Sequence, residues 1–361
     1  MDGSKKIIIK KKTKVFVMAP ANTFTGGPEL LHQIAAEIKK TFNANVKMVY
    51  LPILENNPVH NNFKKYKLDY SNFIDDEENN ILIIPEHYQF LKHSLKYKKI
   101  KKILWWLSID NYFGYKFRYD YNKILRSIIK IPFNILKIFN KITYYTFGLY
   151  TYHDYLKFLY SFRRLKKFEE LKQIDLHLSQ SYYAFNYLKA QFKNLKFLSD
   201  YQRDEILKNF KKIKKTKKNL ICYSSKSGEF VESIKNTNSF RMIKLSGFNT
   251  KQIINIYKKT KVYLDFGYHP GKDRMPREAA LFDNCIITNK KGSAKNKLDI
   301  PINEKYKFEE KKINLEKISK TILNIFNDYQ NELKYFKKYK RTILNEKKIF
   351  YKDLRNVFVK K

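Results

Sequence analysis

Cysteine is nearly absent: Cys222 and Cys285 are the only two in 361 residues, and each lies in a short apolar run that reads as a buried strand. Two isolated core thiols exclude a disulfide framework and a cysteine-based zinc site, and they suit a reducing compartment. Glycine (10) and proline (9) are scarce too, which excludes collagen-like and low-complexity chains. No run approaches about 18 uncharged apolar residues. The opening MDGSKKIIIKKKTK has charge but lacks the apolar stretch of a signal sequence, so neither export nor membrane spanning is predicted and the expected location is the cytoplasm. Acidic side chains are the last deficit: 34 Asp and Glu against 74 Lys and Arg leave a net charge of +40.

What is present describes a packed protein. Hydrophobic residues make up 43% and aromatic residues 16% of the chain, enough for two ordinary domains with their own cores. The surplus positive charge implies a polyanionic neighbour, whether anionic lipid headgroups, a phosphate-bearing substrate or nucleic acid; a lysine-rich genome bias accounts for it equally well.

The first half alternates strand-like and helix-like segments: strands at 14–19, 46–51, 81–84 and 102–107, with a helix at 29–42. The rhythm restarts after a lysine-rich stretch at 208–218, with strands at 219–223, 241–245, 261–266 and 285–288. Such alternation predicts α/β architecture in two Rossmann-like doubly wound domains, whose strand C-termini would meet in a facing cleft. The expected boundaries are 1–195 for the first domain, 196–345 for the second, and 346–361 for a basic tail. Residues 112–168 break the rhythm, with 12 Lys or Arg, 2 Asp and 18 aromatic residues. Apolar residues recur there at Ile124, Ile128, Ile131, Ile135, Ile138 and Ile142, as in a basic helical insertion kinked at Pro132. Beyond Pro301 nothing breaks a helix, so the chain from Leu315 on reads as one or two basic helices packed across the lobes.

The richest stretch is KVYLDFGYHPGKDRMPREAALFDNCIITNKKGS, residues 261–293. A strand ends near Phe266, a loop of turn formers follows, and Pro276 stands where a helix would begin. Free amides at that tip, with His269, Lys272, Arg274 and Arg277 around it, make a predicted phosphate site. Glu278, a carboxylate in the first turn, is suited to ribose hydroxyls. Each residue taken singly also fits an ordinary turn or first-turn charge. In the first domain TFTGGPELLHQIA places Gly26 and Gly27 before a helix, where the backbone can approach a ligand. Asp110 and Glu86 lie just past strand ends and Glu29 at a helix opening. These are the candidate general bases, with Asp110 placed first, although each also fits a helix cap or loop carboxylate.

The segment DFGYHPGKDRMPREAAL followed by KKGS resembles the donor-binding segment of bacterial GT-B glycosyltransferases, in which a helix-opening Glu, here Glu278, holds the nucleotide ribose. Pro270 stands where many retaining members carry a Glu. His269-Pro270 looks like the HP dipeptide of enzymes that use CMP-sugars, and SSKSG at 224–228 resembles the loop whose lysine, here Lys226, reaches the donor phosphates; an exposed turn lysine fits that loop as well. TGGPELLHQ together with WWLSIDNY (105–112) is similar to polysaccharide-assembly glycosyltransferases. The resemblance implies transfer of a hexosyl or acid sugar from a nucleotide sugar to a glycan or lipid-linked acceptor in surface polysaccharide assembly, with no metal and no further cofactor. The basic aromatic insertion would then lie on the anionic inner face of the cytoplasmic membrane, or form a helical lid whose apolar stripe is core. A basic nucleic-acid-binding protein and an inactive transferase-like binding protein are the alternatives. Nucleic acid is not the expected partner, because no recognition-module motif is present and the lysines spread over the whole chain.

Overall fold

The structure, a computed structural model, describes residues 6–54, 57–127, 167–211, 217–237, 240–311 and 314–361. Most of the predicted insertion therefore lies outside the described residues, apart from the helix Ile109–Ser127 that leads into it and Lys167 and Phe168 at its end. The chain divides into unit 1, residues 1–198 with 352–361, and unit 2, residues 199–351.

Unit 1 is built on a seven-stranded sheet, ordered β4-β3-β2-β5-β6-β7-β8. The strands are β2 (Lys14–Pro20), β3 (Asn45–Leu51), β4 (Asp69–Tyr70), β5 (Ile81–Pro85), β6 (Lys101–Trp106), β7 (Leu176–Ser179) and β8 (Leu195–Phe197), and every pairing is parallel. β2 and β5 are buried almost throughout, since a parallel sheet is covered on both faces and selects continuous apolar runs. A separate parallel ribbon joins β1 (Ile7–Ile9) to β14 (Phe358–Lys360). The expected basic tail at 346–361 is thus the end of the helix Lys337–Val357 followed by a paired strand.

The acidic run at 75–78, which polar composition alone would leave as a solvated turn, has work in the fold. Asp75 pairs with Lys14 at 2.5 Å. Asp76 accepts the amides of Lys98, Lys99 and Ile100 at 2.7 to 2.9 Å, satisfying donors that the approach to β6 would otherwise leave open.

Unit 2 carries a five-stranded sheet ordered β10-β9-β11-β12-β13, again parallel throughout. Its strands are β9 (Lys218–Ser224), β10 (Met242–Leu245), β11 (Thr260–Asp265), β12 (Cys285–Asn289) and β13 (Lys307–Phe308). Ile318, Ile322 and Ile325, on the helix Leu315–Asn327, recur at helical spacing and are buried in the unit's core. Cys222 and Cys285 are free and buried there, and burial pushes the Cys222 thiol up to about 12.

In each sheet the strand order reverses once beside the first long strand. β2 has β3 on one side and β5 on the other, and β9 has β10 on one side and β11 on the other. At such a reversal the loops leaving the two central strands part, opening a crevice at the strand C-termini where doubly wound sheets bind ligands.

Candidate active site

In unit 2 the reversal lies between β9 and β11. A 3-10 turn, Ser225–Ser227, leaves β9, and Gly267 follows β11 two residues past its end. The loops are joined by the Phe266 amide, which donates to Ser227 Oγ at 3.0 Å. They pack so closely that a Cβ on Gly267 would come within 2.8 Å of Lys226 Cβ. Lys226 itself is exposed, and no ion pair engages its ammonium among the described residues. Sequence reasoning named Lys226 but missed the glycine that brings it close.

His269 is fully buried. Its Nδ1 lies 3.1 Å from Asp273 and its Nε2 3.6 Å from Asp265. Burial alone would lower its pKa, but the two carboxylates outweigh that and raise it to about 9, so the ring is an imidazolium at neutral pH. Its carbonyl accepts the Ser293 amide at 2.9 Å. Gly292 has φ +53°, and a Cβ there would lie 2.0 Å from the His269 oxygen. Only glycine fits the KKGS loop at this point. The imidazolium therefore sits inside the loop, where it stiffens the backbone from Asp265 to Asp273 and has no open face.

The helix that follows spans Arg274–Leu281. Pro276 is its third residue and not its first, and this too is a position whose missing amide costs nothing, because the opening amides have no intrahelical partner. Asp273 precedes the helix without a side-chain capping bond. Arg274 is half-buried at the tip. Glu278 is buried and accepts Arg203 Nη2 at 3.0 Å.

Arg277, predicted to face phosphate, has zero exposure. Its guanidinium donates to both oxygens of Asp200 at 3.0 and 2.6 Å, to Glu346 at 2.9 Å, and to the carbonyls of Lys272 and Asp273 at 2.9 and 3.1 Å. These contacts use all five N–H donors of an arginine, which leaves none for a ligand. Lys272 is 2.9 Å from Glu346 and 3.6 Å from Asp200. Paired positive neighbours hold the Asp200 carboxyl below its ordinary range despite burial. Asp200, Arg203 and Glu346 escaped the sequence reading because Asp200 and Glu346 stand 77 and 69 residues from Arg277, and Arg203 stands 75 from Glu278. No local pattern marks them.

In unit 1 the reversal lies between β2 and β5. Gly26 and Gly27 open the helix Gly26–Phe42 after β2. A Cβ on Gly27 would meet Leu107 Cδ1 at 3.8 Å, an ordinary contact, so space alone does not demand glycine there. Glu29 is buried, with Lys65 Nζ 3.0 Å and Tyr66 Oη 3.3 Å from its carboxylate. Asp110 is fully buried and accepts the Tyr183 hydroxyl at 3.1 and 3.2 Å. Glu86 directly follows β5 and accepts the Leu107 amide at 3.1 Å. Burial raises its pKa to about 7, against the opposing pull of the Glu86, Leu107 and Ser108 amides. A carboxyl that titrates near 7 can exchange a proton near neutrality.

No family model matches the sequence, and no curated protein matches it. Solved structures do resemble it. A glycosyltransferase from Rickettsia africae ESF-5 aligns with TM-score 0.53 at 12% identity, over 96% of this chain and 96% of that one. Sucrose-phosphate synthase from Thermosynechococcus elongatus aligns with TM-score 0.54 at 8% identity, over 93% and 95% of the two chains. Anabaena HepE in complex with UDP-glucose aligns with TM-score 0.54 at 8% identity, over 95% and 98%. Together with the two parallel sheets, these likenesses show that the chain has the GT-B fold, with two Rossmann-like domains.

Proposed function

We propose that the chain is a glycosyltransferase using a nucleotide-sugar donor. The observation that carries this reading is the strand-order reversal in unit 2, where exposed Lys226 is backed against Gly267 beside a rigid loop leading to Glu278. Lys226, the amides at the Arg274 tip and Arg274 neutralise the leaving phosphate without a metal ion, and Glu278, steadied by Arg203, accepts hydrogen bonds from the ribose. Arg277 and Lys272 serve the loop and not the phosphate. Glu86 takes the acceptor hydroxyl's proton as the new glycosidic C–O bond forms and the bond to phosphate breaks.

Differential scanning fluorimetry and calorimetric titration against UDP-, GDP-, dTDP- and CMP-sugars test this. One donor series is expected to stabilise the protein, by about 2.7 kcal/mol at 100 times its Kd. Lys226→Ala and Glu278→Ala are expected to weaken that donor at least tenfold. A native protein that binds none of the four series removes the reading. The panel also decides between hexosyl and acid-sugar transfer.

The acceptor in this proposal is a glycan or lipid-linked glycan of surface polysaccharide assembly, met on an anionic membrane. Among the described residues no helix is long and apolar enough to cross a membrane, and the support for surface binding is the net charge of +40 with the basic aromatic segment. Co-sedimentation with liposomes is expected to rise with phosphatidylglycerol content and to fall when Lys130, Lys137 and Lys141 become Glu. Equal sedimentation with neutral and anionic liposomes would exclude the membrane.

A further inference from the structure

Asp200, Glu346, Lys272 and Arg277 form a buried cluster of two carboxylates and two cations whose parts come from three distant stretches of unit 2. Such a cluster is not needed to hold a fold together, since well-packed apolar residues commonly replace buried ion pairs at no loss of stability. Its geometry has another use. Arg277 reaches back from the first turn of its helix to the carbonyls of Lys272 and Asp273, the two residues just ahead of that helix. The helix lacks a side-chain cap, so the direction of its opening amides depends on how those two peptide units are oriented. While Arg277 binds both carbonyls, its remaining donors are taken and its charge is balanced by Asp200 and Glu346.

We propose that Asp200 and Glu346 are positioning residues of the donor site: through Arg277 they set the Lys272 and Asp273 peptides, and thereby aim the amides that receive the donor's phosphates. Neither carboxylate touches the donor. The inference rests on the nucleotide-sugar reading above and adds residues that reading does not include.

The experiment uses the full chain with UDP, GDP, dTDP and CMP as probes, measuring Kd by calorimetry at 10 °C and the folded fraction by circular dichroism. Arg277→Lys keeps the buried charge but has too few donors for two carboxylates and two carbonyls. It is expected to fold and to bind the preferred nucleotide at least tenfold more weakly. Asp200→Asn is expected to do the same. Combined Asp200→Leu, Glu346→Leu, Lys272→Met and Arg277→Met replaces the whole cluster by apolar side chains; it is expected to regain native stability while its affinity stays low, a split that a purely structural role would not produce. Native Kd in any folded variant of this set overturns the proposal. If the unaltered chain binds none of the four nucleotides, the donor reading fails and takes this inference with it, whereas native binding with unchanged variants removes the positioning role alone.

Discussion

Glu86→Gln is expected to lower kcat by about 10² to 10⁴, the usual contribution of a positioned general base, while leaving donor affinity within twofold. Because burial lifts the Glu86 pKa to about 7, the rate of the proposed transfer by the unaltered protein should climb with pH through that value and level off above it. The glutamine variant should lack this limb. Stability moves in the opposite direction. A carboxyl whose folded pKa lies above its ordinary value of 4.5 contributes stability that is complete below about 4.5 and is lost as pH rises through about 7. At pH 8 the glutamine variant should therefore be the more stable protein, by up to about 3 kcal/mol. Rate–pH profiles and urea unfolding at pH 5 and 8 decide the matter. A variant that keeps its rate, or that is less stable at pH 8, would make Glu86 a brace for the Leu107 loop and return Asp110 to first place.

Arg277→Leu is expected to cost about 3 to 5 kcal/mol, the usual result of removing one partner from a buried ion pair. It strands Asp200 and Glu346, 1% and 2% exposed at their side chains, with Lys272 as their remaining partner in the cluster. Urea unfolding of the single variant and of Arg277→Leu combined with Asp200→Leu measures this, with the pair expected to regain part of the loss. A cost below about 1 kcal/mol would mean that water reaches the carboxylates.

The elements that sequence made legible are those written in one stretch of chain. β2, β5, β9 and β12 are apolar runs, and the helix Gly26–Phe42 carries the period of its buried face, with Leu30, Leu31, Ile34, Ala35 and Ile38 turned inward. Gly26, Glu86 and Lys226 stand just past strand ends, so topology alone places them at the two reversals. Charge could not be read this way. Lys272, Arg274 and Arg277 look alike as three cations around one helix start, yet Arg277 is wholly inside and Arg274 half-buried. The difference is made by Asp200 and Glu346, whose approach is a tertiary event with no periodic signature. The contacts of Glu346 with Arg277 and Lys272 are of the same kind, since they join stretches of chain about 70 residues apart.

The dependence of Arg277 on Glu346 limits how far unit 2 can be treated as a portable module. Cutting the chain after residue 345, where composition invites a boundary, would keep every strand of the sheet yet discard one of the two anions the cluster needs. A chimera that borrows unit 2 must include Glu346, and the unit itself runs to Tyr351. A graft stopped earlier would carry surplus buried positive charge into its new host, with Arg277 and Lys272 each short of one carboxylate partner.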